Sequence, residues 1–313
     1  MILIPPLNMK TVNTMNEIIT RLTLSHFSGW GKVAITQFIY NHFSACSNTS
    51  EAIFDACVEF SSKNKRLETP SIEYFKQCLD KAEKTYQTCL TLGISILLPN
   101  DSRYPTRLSS LNPPLLFVKG NIEALNAQYI AGLIGSRDPK PWAADAIHHL
   151  GKECAESNIA VVSGLALGCD TEAHLGCLDA GGTTIVILGC GINNIFPKQN
   201  QPLAEKIISS GGCLISEYPP NEPVRSFQLI DRSKLQAELS DCIIVGQAKT
   251  KSGSMHAPLH ALKQLHRPVA VLSGEQYLDD DFSGNSKLIQ DYSVTPLISE
   301  QDKLNFISSL TPV

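Results

Sequence analysis

Two periodicities divide the chain. From residue 15 to about 90, apolar residues recur at helical spacing. Leu22, Leu24, Phe27, Ile35, Phe38, Ile39 and Phe43 form one series; Ile53, Cys57 and Phe60, then Tyr74, Phe75, Cys78 and Leu79, form others. From Leu92 to Lys119 the pattern is less regular and is punctuated by Pro99, Pro105, Pro113 and Pro114. Beyond it, short β-rich runs alternate with helical stretches. The runs are Tyr129–Gly135, Ile159–Gly164, Thr184–Gly189, Cys213–Glu217, Asp241–Gln247 and Pro268–Ser273. The helical stretches are Trp142–Cys154, Thr171–Ala180, Pro202–Ser209, Arg232–Leu239 and Met255–His266.

Continuously apolar strands separated by helices indicate a parallel sheet covered on both faces. Right-handed crossovers then give an α/β fold: a doubly wound, mostly parallel Rossmann-like sheet. The expected organisation is a small helical domain over 1–90, followed by a Rossmann-like domain over 91–313 that includes a short acidic C-terminal segment.

Composition narrows the classes. With 43% hydrophobic and 18% charged residues, the 313-residue chain has enough apolar surface to fold, which excludes a disordered protein. Its net charge of −4 argues at first against nucleic acid. The deficit, however, is concentrated in residues 275–313, and residues 1–274 carry 24 basic and 23 acidic side chains. The body is near neutral, which points to one confined binding groove and not to a broadly basic face. No segment approaches the roughly 18 consecutive apolar residues of a membrane span, and MILIPPLNMK lacks the organisation of a signal peptide. Ten cysteines without CxxC or metal-type spacing read as free thiols buried in a reducing compartment, predicting a cytoplasmic protein.

In a doubly wound sheet, ligands bind beyond the carboxyl ends of the strands. Here these ends carry Gly135-Ser136-Arg137; Ser163-Gly164-Leu165-Ala166-Leu167-Gly168-Cys169-Asp170; Gly189-Cys190-Gly191; and Lys249-Thr250-Lys251-Ser252-Gly253-Ser254. Glycines allow sharp turns that present backbone N–H groups, and Asp170 is expected to cap the helix that follows. With Arg137 and Lys251 nearby, these turns describe a phosphate-binding rim, although each alone could be a plain βα turn. Gly181-Gly182 is expected to close the helix before it.

Several chemistries have no motif. The absence of G-x-G-x-x-G after the first strand and of G-x-x-x-x-G-K-[ST] argues against a dinucleotide cofactor and against P-loop hydrolysis. No cofactor or metal is expected. Neither a G-x-S-x-G elbow nor HExxH appears, so no catalytic constellation is predicted. His174 and His256 follow glycine turns and could face a ligand, but each also reads as an ordinary helix histidine. Glu217, at the end of a strand, could bind a ribose hydroxyl. Phe27-Ser28-Gly29-Trp30-Gly31-Lys32 reads as a tight turn between helices, with a phosphate-holding helix-hairpin-helix or SAM-like connection as the alternative.

Ser163-Gly164-Leu165-Ala166-x-Gly168-x-Asp170-x-x-Ala173-His174 resembles the signature of the DprA/Smf DNA-processing proteins. Flanking pieces agree in order: Tyr104-Pro105, Pro113-Pro114-x-Leu116-Phe117-x-Lys119-Gly120, Gly135-Ser136-Arg137, Gly189, Tyr218-Pro219-Pro220, Leu239-Ser240-Asp241, Ser252-Gly253-Ser254 and Gly284-Asn285. The resemblance covers about 92 to 300, and the helical front end resembles the family's SAM-like domain.

The resemblance implies a dimeric, non-catalytic protein that binds single-stranded DNA and delivers a RecA-type recombinase during natural transformation. Site residues carried over are Gly135, Ser136, Arg137, Ser163, Gly164, Gly168, Asp170, Ser252 and Gly253; the rim reading adds Ala166, Arg232, Lys234, Lys251 and Ser254. N–H groups, hydroxyls and guanidinium would hold successive phosphates without reading bases. The chain departs from the family where Arg-Asn-Arg becomes Arg232-Ser233-Lys234 and where Leu229 replaces an expected phenylalanine, with Phe227 displaced. With few residues after 300 in this sequence, the winged-helix tail of many members is not expected here. These features mark a divergent member, for which a nucleotide-binding sensor or nucleotide-processing enzyme on the same fold is the alternative.

Overall fold

A computed structural model describes residues 9–43, 49–274 and 279–310. The chain divides into two compact units: residues 1–100 with 113–116, and residues 101–112 with 117–313. The division falls past the expected boundary at residue 90.

The first unit contains helices α1 (Met9–Ser25), α2 (Lys32–Phe38), α3 (Ser50–Ser62) and α4 (Ile72–Thr91), then a short strand β1 (Ser95–Leu97). Thr49 and Ser71 cap α3 and α4, their hydroxyls accepting from the N–H groups of Ala52 and Tyr74. The helical series converges on one core: Leu24, Phe27, Trp30, Ile35, Phe38, Cys57, Phe60, Phe75 and Cys78 are buried. In the 27–32 turn, Phe27 and Trp30 point inward with ring centroids 5.3 Å apart, and the Trp30 indole N–H donates to the Glu68 carbonyl at 3.4 Å. Gly29, at φ +78°, supplies the reversal. The turn anchors the core.

The second unit holds strands β2 (Leu116–Gly120), β3 (Ile130–Ile134), β4 (Ala160–Ser163), β5 (Thr184–Leu188), β6 (Cys213–Ser216), β7 (Cys242–Val245), β8 (Val269–Leu272) and β9 (Thr295–Leu297). They lie in the order β2-β6-β5-β4-β3-β7-β8-β9, and every pair is parallel except β2 with β6. The mostly parallel, doubly wound sheet is the one the pattern predicts. Strand β2, inside the stretch read as irregular, is a difference: its pairing with β6 is antiparallel and needs no crossover helix, so no β-then-helix rhythm announces it.

Helices α5 (Pro141–Glu156), α6 (Cys169–Asp179) and α11 (Glu300–Leu310) pack on one face. Helices α8 (Ser226–Leu239), α9 (His256–His260) and α10 (Ser283–Tyr292) pack on the other. Alternate residues of β3 serve the two layers, Ala131 and Leu133 one, Ile134 the other. Helix α7 (Gln201–Ser209) connects β5 to β6. The acidic C-terminal segment is structural in part: Phe282 stacks on Trp142 at 4.9 Å, and Leu297, Phe306 and Ile307 are buried.

Strand order reverses at β3, where β4 lies on one side and β7 on the other. The crevice beyond the carboxyl ends of β3 and β7 is therefore the position at which such sheets admit ligands.

Candidate phosphate-binding cleft

A cleft of about 430 Å³ opens at that crevice. The loop after β3 supplies Gly135, Ser136 and Arg137; the loop after β4 and the first turn of α6 supply Ala166 and Asp170; the segment after β7 supplies Ala248, Lys249, Ser252, Gly253 and Ser254. Helix α8 closes the remaining side with Leu229, Arg232, Ser233 and Gln236. Their spacing (i, i+3, i+4, i+7) puts these four on one helical face.

The loops are locked together by bonds to their backbone carbonyls. The Ser254 hydroxyl donates to the Gly135 carbonyl at 2.6 Å, and the Cys169 N–H donates to the Ser136 carbonyl at 3.0 Å. Asp170 lies inside α6, whose cap is Gly168, so the expected N-cap role is corrected. Its Oδ2 instead accepts from the backbone N–H groups of Gly164 at 3.2 Å and Ala166 at 3.3 Å, shaping the loop before the helix. Leu165 is held at φ +62°, and the Asn200 amide secures the bend by donating to the carbonyls of Leu165 at 2.9 Å and Ala166 at 3.3 Å. Gly168 sits at φ +74°, where a Cβ would lie 2.5 Å from the Ser136 carbonyl oxygen. Only glycine allows the two loops to approach that closely.

Arg232 is the central charge. Its Nη1 donates to the Gly164 carbonyl at 2.8 Å, and its Nη2 lies 3.7 Å from Asp170 Oδ2. Burial pulls its pKa below the usual value; Asp170 opposes that shift and Arg137 adds to it. Arg232 Nε, Gln236 Nε2 and Ser252 Oγ are buried polar atoms without a hydrogen-bond partner. Arg137 is exposed and forms no ion pair among the described residues. Unpartnered donors on Arg232, Gln236 and Ser252, beside the exposed Arg137, suit the cleft to an acceptor-rich anion.

Nine predicted site residues line the cleft: Gly135, Ser136, Arg137, Ala166, Asp170, Arg232, Ser252, Gly253 and Ser254. Five do not. Ser163 is buried and donates to the Leu133 carbonyl at 2.6 Å, while Gly164 and Gly168 give close-approach room behind the lining. Lys234 pairs with Asp231 at 3.1 Å; two residues from Arg232, it projects about 200° around the helix. Lys251 is exposed outside the cleft, and Lys249 takes the lining position. The third glycine turn is structural: the Gly191 N–H donates to the Glu222 carbonyl at 2.8 Å. Sequence reasoning missed Gln236, Leu229, Ile230 and Lys249 as lining; the α8 periodicity was the available signal for the first two.

His256 lines the cleft, whereas His174 and Glu217 do not. His174 is fully buried, with Nδ1 2.7 Å from Thr184 Oγ1. Because that hydroxyl donates to the Val161 carbonyl at 2.9 Å, His174 must donate through Nδ1. Burial, reinforced by Arg232, pushes its pKa down to about 3, so it is neutral. The nine described cysteines are buried, and burial pushes the thiols of Cys89, Cys169, Cys177 and Cys213 up to about 12. Cys46 lies outside the described residues. Among the described residues, no three His, Cys, Asp or Glu side chains gather as a metal site, and no helix is long and apolar enough to cross a membrane.

Residues 95–308 match the family described as DNA recombination-mediator protein A. The chain belongs to that family. It is 34% identical over 200 residues to the DNA processing protein DprA of Bacillus subtilis, covering 63% of this chain and 66% of that protein. It is 35% identical to DprA of Streptococcus pneumoniae over 61% of this chain and 67% of the relative, and 35% identical to protein Smf of Escherichia coli over 57% and 48%. The chain thus spans about half to two thirds of these relatives. The X-ray structure of S. pneumoniae DNA processing protein A superposes with a TM-score of 0.73 at 28% identity, covering 93% of this chain and 97% of that one. A Helicobacter pylori DNA processing protein A, whose structure concerns its single-stranded DNA binding mode, gives 0.60 at 27% identity over 69% and 95%. The resemblance read from the motifs is thereby established.

Two of the motif pieces have an architectural use here. Asp241 of Leu239-Ser240-Asp241 takes two bonds from Arg107, at 3.0 and 2.9 Å, and one from the Ile130 N–H at 2.8 Å. Asn285 of Gly284-Asn285 accepts from the Ala248 N–H at 2.9 Å and donates to the carbonyls of Gly246 and Leu272. That residue pins the loop after β7 against α10, which sets the position of Lys249.

Proposed function

We propose that this chain binds single-stranded DNA at the cleft, its phosphates held by Arg137, the 135–136 and 252–253 backbone, and Arg232. The observation that carries the reading is the convergence of unpartnered donors, Arg232 Nε, Gln236 Nε2 and Ser252 Oγ, beside the exposed Arg137 at the sheet's switch point. Backbone N–H groups and guanidinium favour phosphate without requiring a basic protein, which reconciles the site with a net charge of −4. The H. pylori relative, described by its single-stranded DNA binding mode, supports the same ligand class.

The role we assign is non-catalytic: a cytoplasmic homodimer that holds the strand and assists a RecA-type recombinase in DNA uptake or recombination. The family's description as a recombination mediator supports this role.

A cleft of about 430 Å³ also has room for a mononucleotide, which favours a nucleotide sensor or nucleotide-processing enzyme as the second reading. A salt titration separates the two. The expected result is binding of an unstructured oligonucleotide that weakens steeply with salt, as counterion release requires. No binding at low salt, together with micromolar affinity for a mononucleotide, would overturn the DNA reading in favour of the second.

A further inference from the structure

The acidic turn at residues 279–281 stands beside the cleft. Asp281 Oδ1 lies 2.8 Å from Lys249 Nζ, and its Oδ2 lies 3.2 Å from Lys140 Nζ. Asp279 adds a second contact to Lys140 at 3.5 Å. Lys249 lines the cleft, and the Lys140 N–H donates to Gln247 Oε1 at 2.8 Å, fixing Lys140 to the loop after β7. Lys249 at the cleft, and Lys140 beside it through the shared Asp281, are thus already neutralised from within the chain.

The turn is built to stay there. Asp279 accepts from the Asp281 N–H at 2.9 Å, Phe282 is buried against Trp142, and the Gly284 N–H donates to the Ala248 carbonyl at 2.8 Å. The Thr250 N–H donates to Ser283 Oγ at 3.2 Å. The carboxylates therefore face the lysines from a fixed base, while the lysine heads are free to swing. Lys249 is 58% exposed and Lys140 43%, so both pairs are open to solvent and easily exchanged. The Lys249 and Lys140 heads hold the Asp281 carboxyl below the usual carboxylate range.

We propose that Asp279 and Asp281 act as an internal counter-anion for the binding cleft, occupying Lys140 and Lys249 until nucleic-acid phosphates displace them. The inference rests on the DNA-binding reading. Each lysine that engages a phosphate releases a cation condensed on the strand, but the carboxylate it leaves behind recruits cations from solution, so the net release is smaller. The clip therefore lowers affinity and flattens its salt dependence.

The test is a fluorescence-anisotropy titration of an oligothymidylate across a series of salt concentrations, using the full chain. Variants are Asp279→Asn/Asp281→Asn, Lys140→Ala/Lys249→Ala, and the four combined. Asparagine keeps the cap on the 281 N–H, so the turn is retained. The carboxamide variant should bind about threefold or more tightly at low salt, with a log–log salt slope steeper by roughly 0.7 for each lysine released. In the lysine-free background that gain should vanish. Wild-type binding with no gain in the carboxamide variant, or an equal gain without the lysines, would overturn the clip alone. No binding by either the wild type or the carboxamide variant would overturn the DNA reading and the clip with it.

Discussion

Helix α8 meets arginines in two contrasting environments, Arg267 from the segment before β8 and its own Arg232. At its C-terminal end Arg267 donates to the carbonyls of Ala237, Glu238 and Ser240, satisfying the last turn and complementing the helix dipole. Nearby, Glu238 is buried and accepts from Ser110 Oγ and meets His260 Nε2 at 2.9 Å, while Arg107 forks onto Asp241. There, each charged group is matched. On the cleft face of the same helix, Arg232 has one carbonyl bond, a distant carboxylate and a buried Nε without a partner, and Gln236 is similarly unmatched one turn on. Matched polar groups hold the fold, whereas unmatched buried donors retain a capacity that a ligand can use.

The contrast can be broken first at the matched end. Arg267→Ala should lower unfolding free energy by about 2–3 kcal/mol, since charged hydrogen bonds are lost and carbonyls are stranded. Urea unfolding measures that loss, and oligonucleotide affinity of the folded variant should stay within about twofold. A large affinity loss with unchanged stability would reverse the assignment of the two ends.

His174 tests the buried floor. Unfolded, it binds a proton near 6.5; folded, not until about 3. Between these values the unfolded state holds the extra proton, so the penalty is absent above the upper pKa and grows as pH falls through the window. The expected contribution is about 1.4 kcal/mol per pH unit, or about 2 kcal/mol by pH 5. Unfolding curves of wild type and His174→Gln across that range should differ in slope by one proton; parallel curves would mean that the histidine titrates normally.

On the cleft side, Arg137→Ala should weaken binding about tenfold across sequences and make the salt slope shallower by roughly 0.7, with little change in Tm. Sequence-dependent losses would instead point to base contacts. The mildest change is Gly164→Ala. Its methyl would lie 2.4 Å from the Arg232 guanidinium carbon, so the side chain must shift. An affinity loss of about threefold with the fold retained is expected, and unchanged affinity would remove Arg232 from the site.

Much of this architecture was legible beforehand because parallel strands are apolar throughout and helices repeat every 3.6 residues. All six predicted strands form, with ends trimmed by a residue or two. Strand β2, strand β9 and the two C-terminal helices escaped because they are short, at an edge or polar-faced. In the site, glycine and hydroxyl turns located three of the four contributing segments. Lys234 lies off the cleft face because helical phase, not motif position, sets its direction, and Lys249 lines the cleft in place of the expected Lys251 because two lysines two residues apart in a loop look alike in sequence.

By itself, then, the sequence determined the sheet, the family and the edge of the sheet that carries the loops, because periodicity and turn chemistry are local. Tertiary structure alone decided which charges remain available. Asp170, Asp241, Asp279 and Asp281 are the same residue type. One shapes a loop, one locks an arginine and two pair with lysines at or beside the cleft, according to which donors folding brings within about 3 Å, the range over which a hydrogen bond forms.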